Sequence, residues 1–164
     1  MSWNTCDLCD ANEEAMIAGT LAVLPLPWLS FGKHLRFSGP AATLKVFEDN
    51  VMVRSVLSSP GNGRVLMIDA GGSRRCAMVG GNLGQLGVTN GWAGIVLDGC
   101  VRDTDELDAC AIGIRAIGVH PRRSNRQGAG QADGPVVIGA VTIRPGDWVY
   151  ADRDGVLVSR VPLS

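Results

Sequence analysis

In GWAGIVLDGCVRDTDELDACAIGIRAIGV, Gly91–Val119, an apolar run at Gly94–Leu97 passes into DGCVRD. An acidic segment follows from Asp103 to about Ala111, and then a second apolar run near Ile114–Val119. Short unbroken apolar runs bounded by glycine mark strands covered on both faces. The acids behind Asp103 suit the first turn of a helix. The unit therefore reads strand, helix, strand, and such a crossover packs its helix on a parallel sheet. Upstream, Arg64–Asp69 (RVLMID) is another run of the same kind, and Ser73 to about Val88 has helical spacing broken at Gly80-Gly81.

Working outward, Thr5 and the acids of CDLCDANEEAM predict a capped first helix that leads into a Pro-rich loop. Leu35–Phe47 predicts a strand interrupted at Gly39-Pro40, and Asp49–Leu57 a short helix opened by Asp49. Toward the C-terminus, Val136–Ile138, Val141–Ile143, Trp148–Tyr150 and Val156–Val158 are separated by Gly, Pro-Gly-Asp and Asp-Gly turns, the pattern of an antiparallel meander. The fold class is α/β, one domain over residues 1–164 with mixed parallel and antiparallel sheets.

Length and composition agree with one domain. The 164 residues are 46% hydrophobic and 19% charged, which supports a buried core. Fifteen Lys+Arg against 16 Asp+Glu give a net charge of −1, so no basic face argues for direct nucleic-acid binding. Aromatics at 5% argue against base stacking. The five cysteines, Cys6, Cys9, Cys76, Cys100 and Cys110, are an odd number without a secretory leader, which predicts reduced thiols and a cytoplasmic protein. Ala15–Gly32 is uncharged, but Gly19, Pro25 and Pro27 break it, so no membrane span is expected. Burial of part of that stretch between subunits is expected instead.

Candidate chemistry gathers at Arg102-Asp103, where an apolar strand ends and a helix begins. Asp103 and Glu106 share a helix face at that spacing. Beside them an arginine can fork a substrate carboxylate while the acids hold a divalent cation. The plain alternative makes Asp103 a helix cap followed by a solvated acidic turn. Gly80-Gly81-Asn82-Leu83 can expose backbone N–H groups to an anion, or simply kink a helix. Asp69-Ala70-Gly71-Gly72-Ser73 matches neither a Walker loop nor a GxGxxG fingerprint. Cys6-Asp7-Leu8-Cys9 lacks the second ligand pair that zinc requires, and His34 and His120 suggest no triad. Arg122, Arg123 and Arg126 form a basic loop, either a solvated turn or a mobile lid over an anionic substrate.

Over nearly its whole length the chain resembles the RraA-like family, which holds both regulators of ribonuclease activity and class II 4-hydroxy-4-methyl-2-oxoglutarate aldolases. The matching segments are FGKHLRFSGPAATLKVFEDN, RVLMIDAGGSRRCAMV, GWAGIVLDGCVRDTDELDACAIGIRAIGVHPRRS and GAVTIRPGDWVYADRDGVLVS. The family's aldolases carry G-x20-R-D-x2-(E/D), which Gly81, Arg102, Asp103 and Glu106 satisfy. The true regulators tend to lose the aspartate.

The resemblance implies a swivelling β/β/α-like, phosphohistidine-domain-like fold, and a homotrimer or hexamer with sites at subunit interfaces. It implies Asp103 as the ligand of a divalent metal and Arg102 on the pyruvyl carboxylate. Backbone amides around Gly80, Gly81, Asn82 and Leu83 would hold the same group. It implies a 2-oxo acid substrate or, in the competing reading, a ribonuclease E type endonuclease as partner. Many relatives have an acid near Gly81 or Asn82, which this chain lacks.

Elementary chemistry bears on the same choice. Retro-aldol cleavage of a 4-hydroxy-2-oxo acid leaves a pyruvate enolate, stabilised by a lysine Schiff base or by a metal Lewis acid. The only lysines, Lys33 and Lys45, are far in sequence from Arg102-Asp103. The metal route is favoured, and the absence of His/Cys clusters points to Mg²⁺ or Mn²⁺ on one or two carboxylates and water. Oxaloacetate decarboxylation passes through the same enolate, so one site can serve both reactions.

Overall fold

A computed structural model describes residues 2–164. In chain order the elements are α1 (Thr5–Ala11), α2 (Glu13–Ala18), β1 (Leu21–Val23), β2 (Leu29–Phe31), β3 (Phe37–Lys45), α3 (Val51–Leu57), β4 (Val65–Asp69) and β5 (Ala77–Val79). There follow α4 (Gly81–Thr89), β6 (Gly94–Val101), α5 (Thr104–Asp108), β7 (Gly113–Val119), β8 (Gln131–Ala132), β9 (Val136–Ile138), β10 (Val141–Ile143), β11 (Trp148–Ala151) and β12 (Val156–Ser159). The main sheet runs β1-β12-β11-β3-β4-β6-β7-β2, with β5 on β6 and β8 on β3. Its centre, β3-β4-β6-β7, is parallel, and its flanks are antiparallel. The fold is thus α/β with a mixed sheet, as expected.

The apolar runs are continuous because both sheet faces are covered. Along β4, Leu66 and Ile68 enter the core beneath α3, α4 and α5, whereas Val65 and Met67 enter a second core on the opposite face. In β6 the alternation repeats, with Ile95 and Leu97 on the helical side and Val96 on the other. Fully burying each such side chain contributes about 1.5–3 kcal/mol.

Several local expectations are corrected. The helix expected from Ser73 begins only at Gly81, because Ala77-Met78-Val79 is a fully buried strand, β5. Beyond a register shift, β6 outruns β4, and Cys100 and Val101 take β5 as their partner. Gly80-Gly81 is therefore a strand-to-helix turn and not a helix kink. The Gly39-Pro40 interruption is absent, since Pro40 lies inside β3 opposite Trp148. The first helix is capped by Asn4, whose side chain accepts the Asp7 N–H; Thr5 instead donates its hydroxyl and N–H to Asp152. That helix breaks at Asn12, and α2 follows. The meander is split: β9 and β10 form a separate hairpin, while β11 and β12 join the main sheet.

Ala15–Gly32 is largely spent within the chain. It supplies β1 and β2, the two edge strands, and buries Leu21, Leu24 and Phe31, while Ile17, Val23 and Leu29 are exposed. No helix among the described residues is long and apolar enough to cross a membrane.

Candidate functional site

Two parallel strands, β5 and β6, end side by side and each turns into a helix. The Arg102 N–H donates to the Val79 carbonyl at 3.0 Å, which ties the two turns together. Asp103 takes a left-handed conformation (φ 54°, ψ 49°) as it opens α5, yet its side chain caps nothing in that helix. It reaches across instead, and its Oδ2 accepts the Gly81 N–H at 3.0 Å, at the start of α4. The plain capping alternative for Asp103 is thus set aside by geometry.

Close approach dictates both glycines. A Cβ at Gly80 would sit 2.6 Å from Asp103 Oδ2 and 3.3 Å from Arg102 Cγ. At Gly81 it would meet the Glu106 carboxylate, with Oε2 at 2.0 Å. The sequence pattern linking Gly81, Arg102, Asp103 and Glu106 is a single packed cluster. Asn82 and Leu83 add first-turn N–H groups of α4 that find no acceptor among the described residues. Of the expected backbone donors, that of Gly81 is already engaged by Asp103. Leu83 itself is buried in the core, whereas Asn82 is exposed.

Gly80, Asn82, Leu83, Arg102 and Asp103 line a cavity of about 60 Å³, completed by Asn50, Arg54, Ala77, Arg123 and Arg126. Lysine is not among its lining residues. Arg102 is half-buried, and none of the four arginines on this wall makes a salt bridge among the described residues. Asn50 and Arg54 come from the α3 region, a contribution that spacing in the sequence did not disclose; only their shared helix with Asp49 hinted at it.

The Arg122–Arg126 segment is stitched to the sheet through its backbone, while its three arginine side chains are exposed. The Ala77 N–H donates to the Arg122 carbonyl at 2.7 Å, and the Asn125 N–H to the Glu48 carbonyl at 2.9 Å. His120 Nδ1 accepts the Arg122 N–H. Buried Asp49 anchors the following turn, accepting the N–H groups of Gln127, Gly128 and Ala129 on one oxygen and that of Val51 on the other. Burial pushes its carboxyl up, but these backbone donors outweigh burial and hold it below the usual aspartate value. Its side chain thus ties the turn that follows Arg126 to the start of α3, a role beyond helix opening.

All five cysteines are free, and no group of three or more His, Cys, Asp or Glu among the described residues could hold a metal.

The RraA-like family model, described as Aldolase/RraA, matches residues 5–158. The chain belongs to the RraA-like family. A Burkholderia mallei protein named "Putative 4-hydroxy-4-methyl-2-oxoglutarate aldolase" is 58% identical over 159 residues, covering 97% of this chain and 96% of its own. The structure of the RNA-processing inhibitor RraA from Thermus thermophilis superimposes with a TM-score of 0.92 at 43% identity, covering 100% of this chain and 96% of that one. A Geobacillus kaustophilus structure titled S-adenosylmethionine: 2-dimethylmenaquinone methyltransferase gives 0.90 at 43% identity, over 98% and 96%. The two solved structures share this fold, and the three names point to three activities.

Proposed function

We propose that this RraA-like chain is a divalent-metal-dependent class II aldolase. Its substrate is 4-hydroxy-4-methyl-2-oxoglutarate or 4-carboxy-4-hydroxy-2-oxoadipate, and it decarboxylates oxaloacetate at the same site. The observation that carries the reading is the joining of Arg102 and Asp103 to the N-terminus of α4 in a cavity without lysine.

Asp103 suits a hard cation. One of its oxygens is held by the Gly81 N–H, the other is free, and the side chain is exposed to water beside Glu106. Mg²⁺ and Mn²⁺ accept one or two carboxylates and keep several waters. When bound, such an ion supplies Lewis-acid polarisation of the 2-oxo group. Arg102, free of any ion pair, takes the pyruvyl carboxylate, assisted by the Asn82 and Leu83 N–H groups. In the cleavage the C3–C4 bond breaks, the 4-hydroxyl loses its proton, and the electron pair remains on C3 as an enolate. Arg102 faces the charge that develops there. Protonation at C3 completes pyruvate.

The assembly belongs to the same reading, as a homotrimer or hexamer, and a monomeric mass by light scattering at micromolar concentration would count against a shared site. The test of function is pyruvate release by the purified protein, with Mg²⁺ and with excess chelator. Release that depends on the metal is expected, with no labelling by borohydride plus substrate. Full activity in chelator overturns the metal mechanism, and no release from either substrate overturns the aldolase.

One observation favours a second reading, the match along the entire chain to the Thermus RraA. Under it the chain binds and inhibits a ribonuclease E type endonuclease. Inhibition of such an endonuclease by the Asp103→Asn protein as well as by the parent would show that activity to be separate from the site.

A further inference from the structure

Asn50 lines the site cavity, yet neither the motif spacing nor the metal reading gives it a task. It stands at the N-cap of α3, where an asparagine ordinarily spends its side-chain oxygen on a helical N–H. Here it does not. The carboxylate before it, Asp49, takes the Val51 N–H, and the Asn50 side chain caps nothing. Its amide nitrogen instead donates to the Met78 carbonyl at 3.3 Å, and its backbone N–H to the Asn125 carbonyl at 3.4 Å. Asn50 is thereby pinned both to β5 and to the segment 122–126. Its Oδ1 accepts no hydrogen bond among the described residues.

An unspent acceptor is scarce in this cavity. The four arginines carry donors only, and Ala77 and Leu83 have no polar side-chain atom. Asp103 is committed to the Gly81 N–H and, in the aldolase reading, to the cation. Asn82, the other amide, is exposed, whereas Asn50 is half-buried and its nitrogen is held, so the fold decides which of its ends is left over. A 4-hydroxy-2-oxo acid brings one matching donor, its 4-hydroxyl. Cleavage also requires the C3–C4 bond to stand across the plane of the 2-oxo group, so that the electron pair it leaves can enter the enolate. Holding the hydroxyl fixes that rotation.

We propose that Asn50 Oδ1 accepts a hydrogen bond from the 4-hydroxyl of the substrate and so orients the C3–C4 bond for cleavage. The proposal rests on the aldolase reading. When the bond breaks, its electron pair stays on C3, the hydroxyl proton passes to water, and C4 becomes a carbonyl. That carbonyl has no proton to donate, so the contact ends with the reaction. The same contact discriminates against 2-oxo acids without the hydroxyl, because a site that hydrogen-bonds a substrate O–H is left with an unpaired group when the analogue lacks it.

The experiment measures kcat/KM for cleavage of 4-hydroxy-4-methyl-2-oxoglutarate beside the competitive inhibition constant of 4-methyl-2-oxoglutarate, the same skeleton without the hydroxyl. It uses the parent, Asn50→Ala, Asn50→Asp and Asn82→Ala, with folding checked by circular dichroism. Asn50→Ala should lower kcat/KM roughly tenfold or more, while inhibition by the deoxy compound changes by less than about threefold. Asn50→Asp keeps an acceptor oxygen and gives up the N–H to Met78, and should recover much of the cleavage lost in Asn50→Ala. A purely structural Asn50 requires the opposite, with both substitutions failing alike and the deoxy compound weakened as much as the substrate; that result overturns the proposal. An unchanged kcat/KM in Asn50→Ala, or a selective loss that falls on Asn82→Ala instead, overturns it while the aldolase stands. A parent that releases no pyruvate overturns the aldolase reading and this proposal with it.

Discussion

A methyl group on Gly81 would fall 2.0 Å from Glu106 Oε2 and 2.8 Å from Glu106 Cβ, so residues 25 apart in sequence occupy one another's space. The carboxylate can swing aside, but the Cβ moves only with α5. Gly81→Ala should therefore cost about 1–3 kcal/mol in denaturant unfolding, as overpacking does. Glu106→Ala alone, on an exposed helical turn, should lie within about 0.5 kcal/mol of the parent. Combined, the two should recover part of the Gly81→Ala loss, because the carboxylate contact vanishes while the Cβ contact stays. Strict additivity in that double-mutant cycle would deny the close approach.

Asp103 is better tested by asparagine than by alanine. At φ 54° alanine brings backbone strain of its own, whereas asparagine visits that conformation readily and keeps an oxygen for the Gly81 N–H. Asp103→Asn should leave the melting temperature near that of the parent and reduce pyruvate release by about 10²-fold or more, the scale of losing an electrostatic contact to a transition state. Retention of half the activity would return Asp103 to a purely structural part.

Asp49 ties acid stability to the arginine wall. Its folded carboxyl titrates below the unfolded value, so the stability it confers is complete above the ordinary aspartate value and is lost as pH falls through the lower folded one. Hydrogen exchange at the Gln127, Gly128 and Ala129 amides should accelerate in that acid range beyond its intrinsic pH trend. Asp49→Ala should produce the same acceleration at neutral pH, since three N–H groups lose their acceptor together. Unchanged protection in Asp49→Ala would remove Asp49 from any positioning role.

The parts legible in sequence were those whose physics is local. Val65–Asp69 and Gly94–Leu97 declare themselves because two covered faces demand unbroken apolar runs, and Gly113–Val119 does so although buried Arg115 interrupts its run. β5 was hidden, since three apolar residues fit helix or strand equally and its pairing exists only where β6 outruns β4. The edge strands β1 and β2, three residues each, carry too little pattern to separate from loop. At the site, Gly81, Arg102, Asp103 and Glu106 could be read from motif spacing. Arg54 and Asn50 could not, because only the stacking of α3 beside α4 brings them to the cavity.

Arg102 offers the sharpest separation of carboxylate clamp from general cationic wall. Its Cγ and Nε lie 3.3 and 3.6 Å from the point where a Cβ at Gly80 would be, so the stem runs along that glycine with no ion pair to hold its head. A guanidinium offers two parallel N–H bonds to a carboxylate, whereas the lysine ammonium is a compact point charge. If Arg102 orients the pyruvyl group and meets the enolate charge, Arg102→Lys should lower kcat and raise KM together. The combined loss should be on the order of 2–4 kcal/mol, as for a charge-assisted bidentate contact. Oxalate, a planar mimic of the enolate, should inhibit the parent competitively and this variant more weakly. Three other arginines line the same cavity and can attract an anion without a specific fork, which makes the oxalate comparison decisive. Should Arg102→Lys bind oxalate as tightly as the parent does, the clamp passes to Arg123 or Arg126, which line the same cavity.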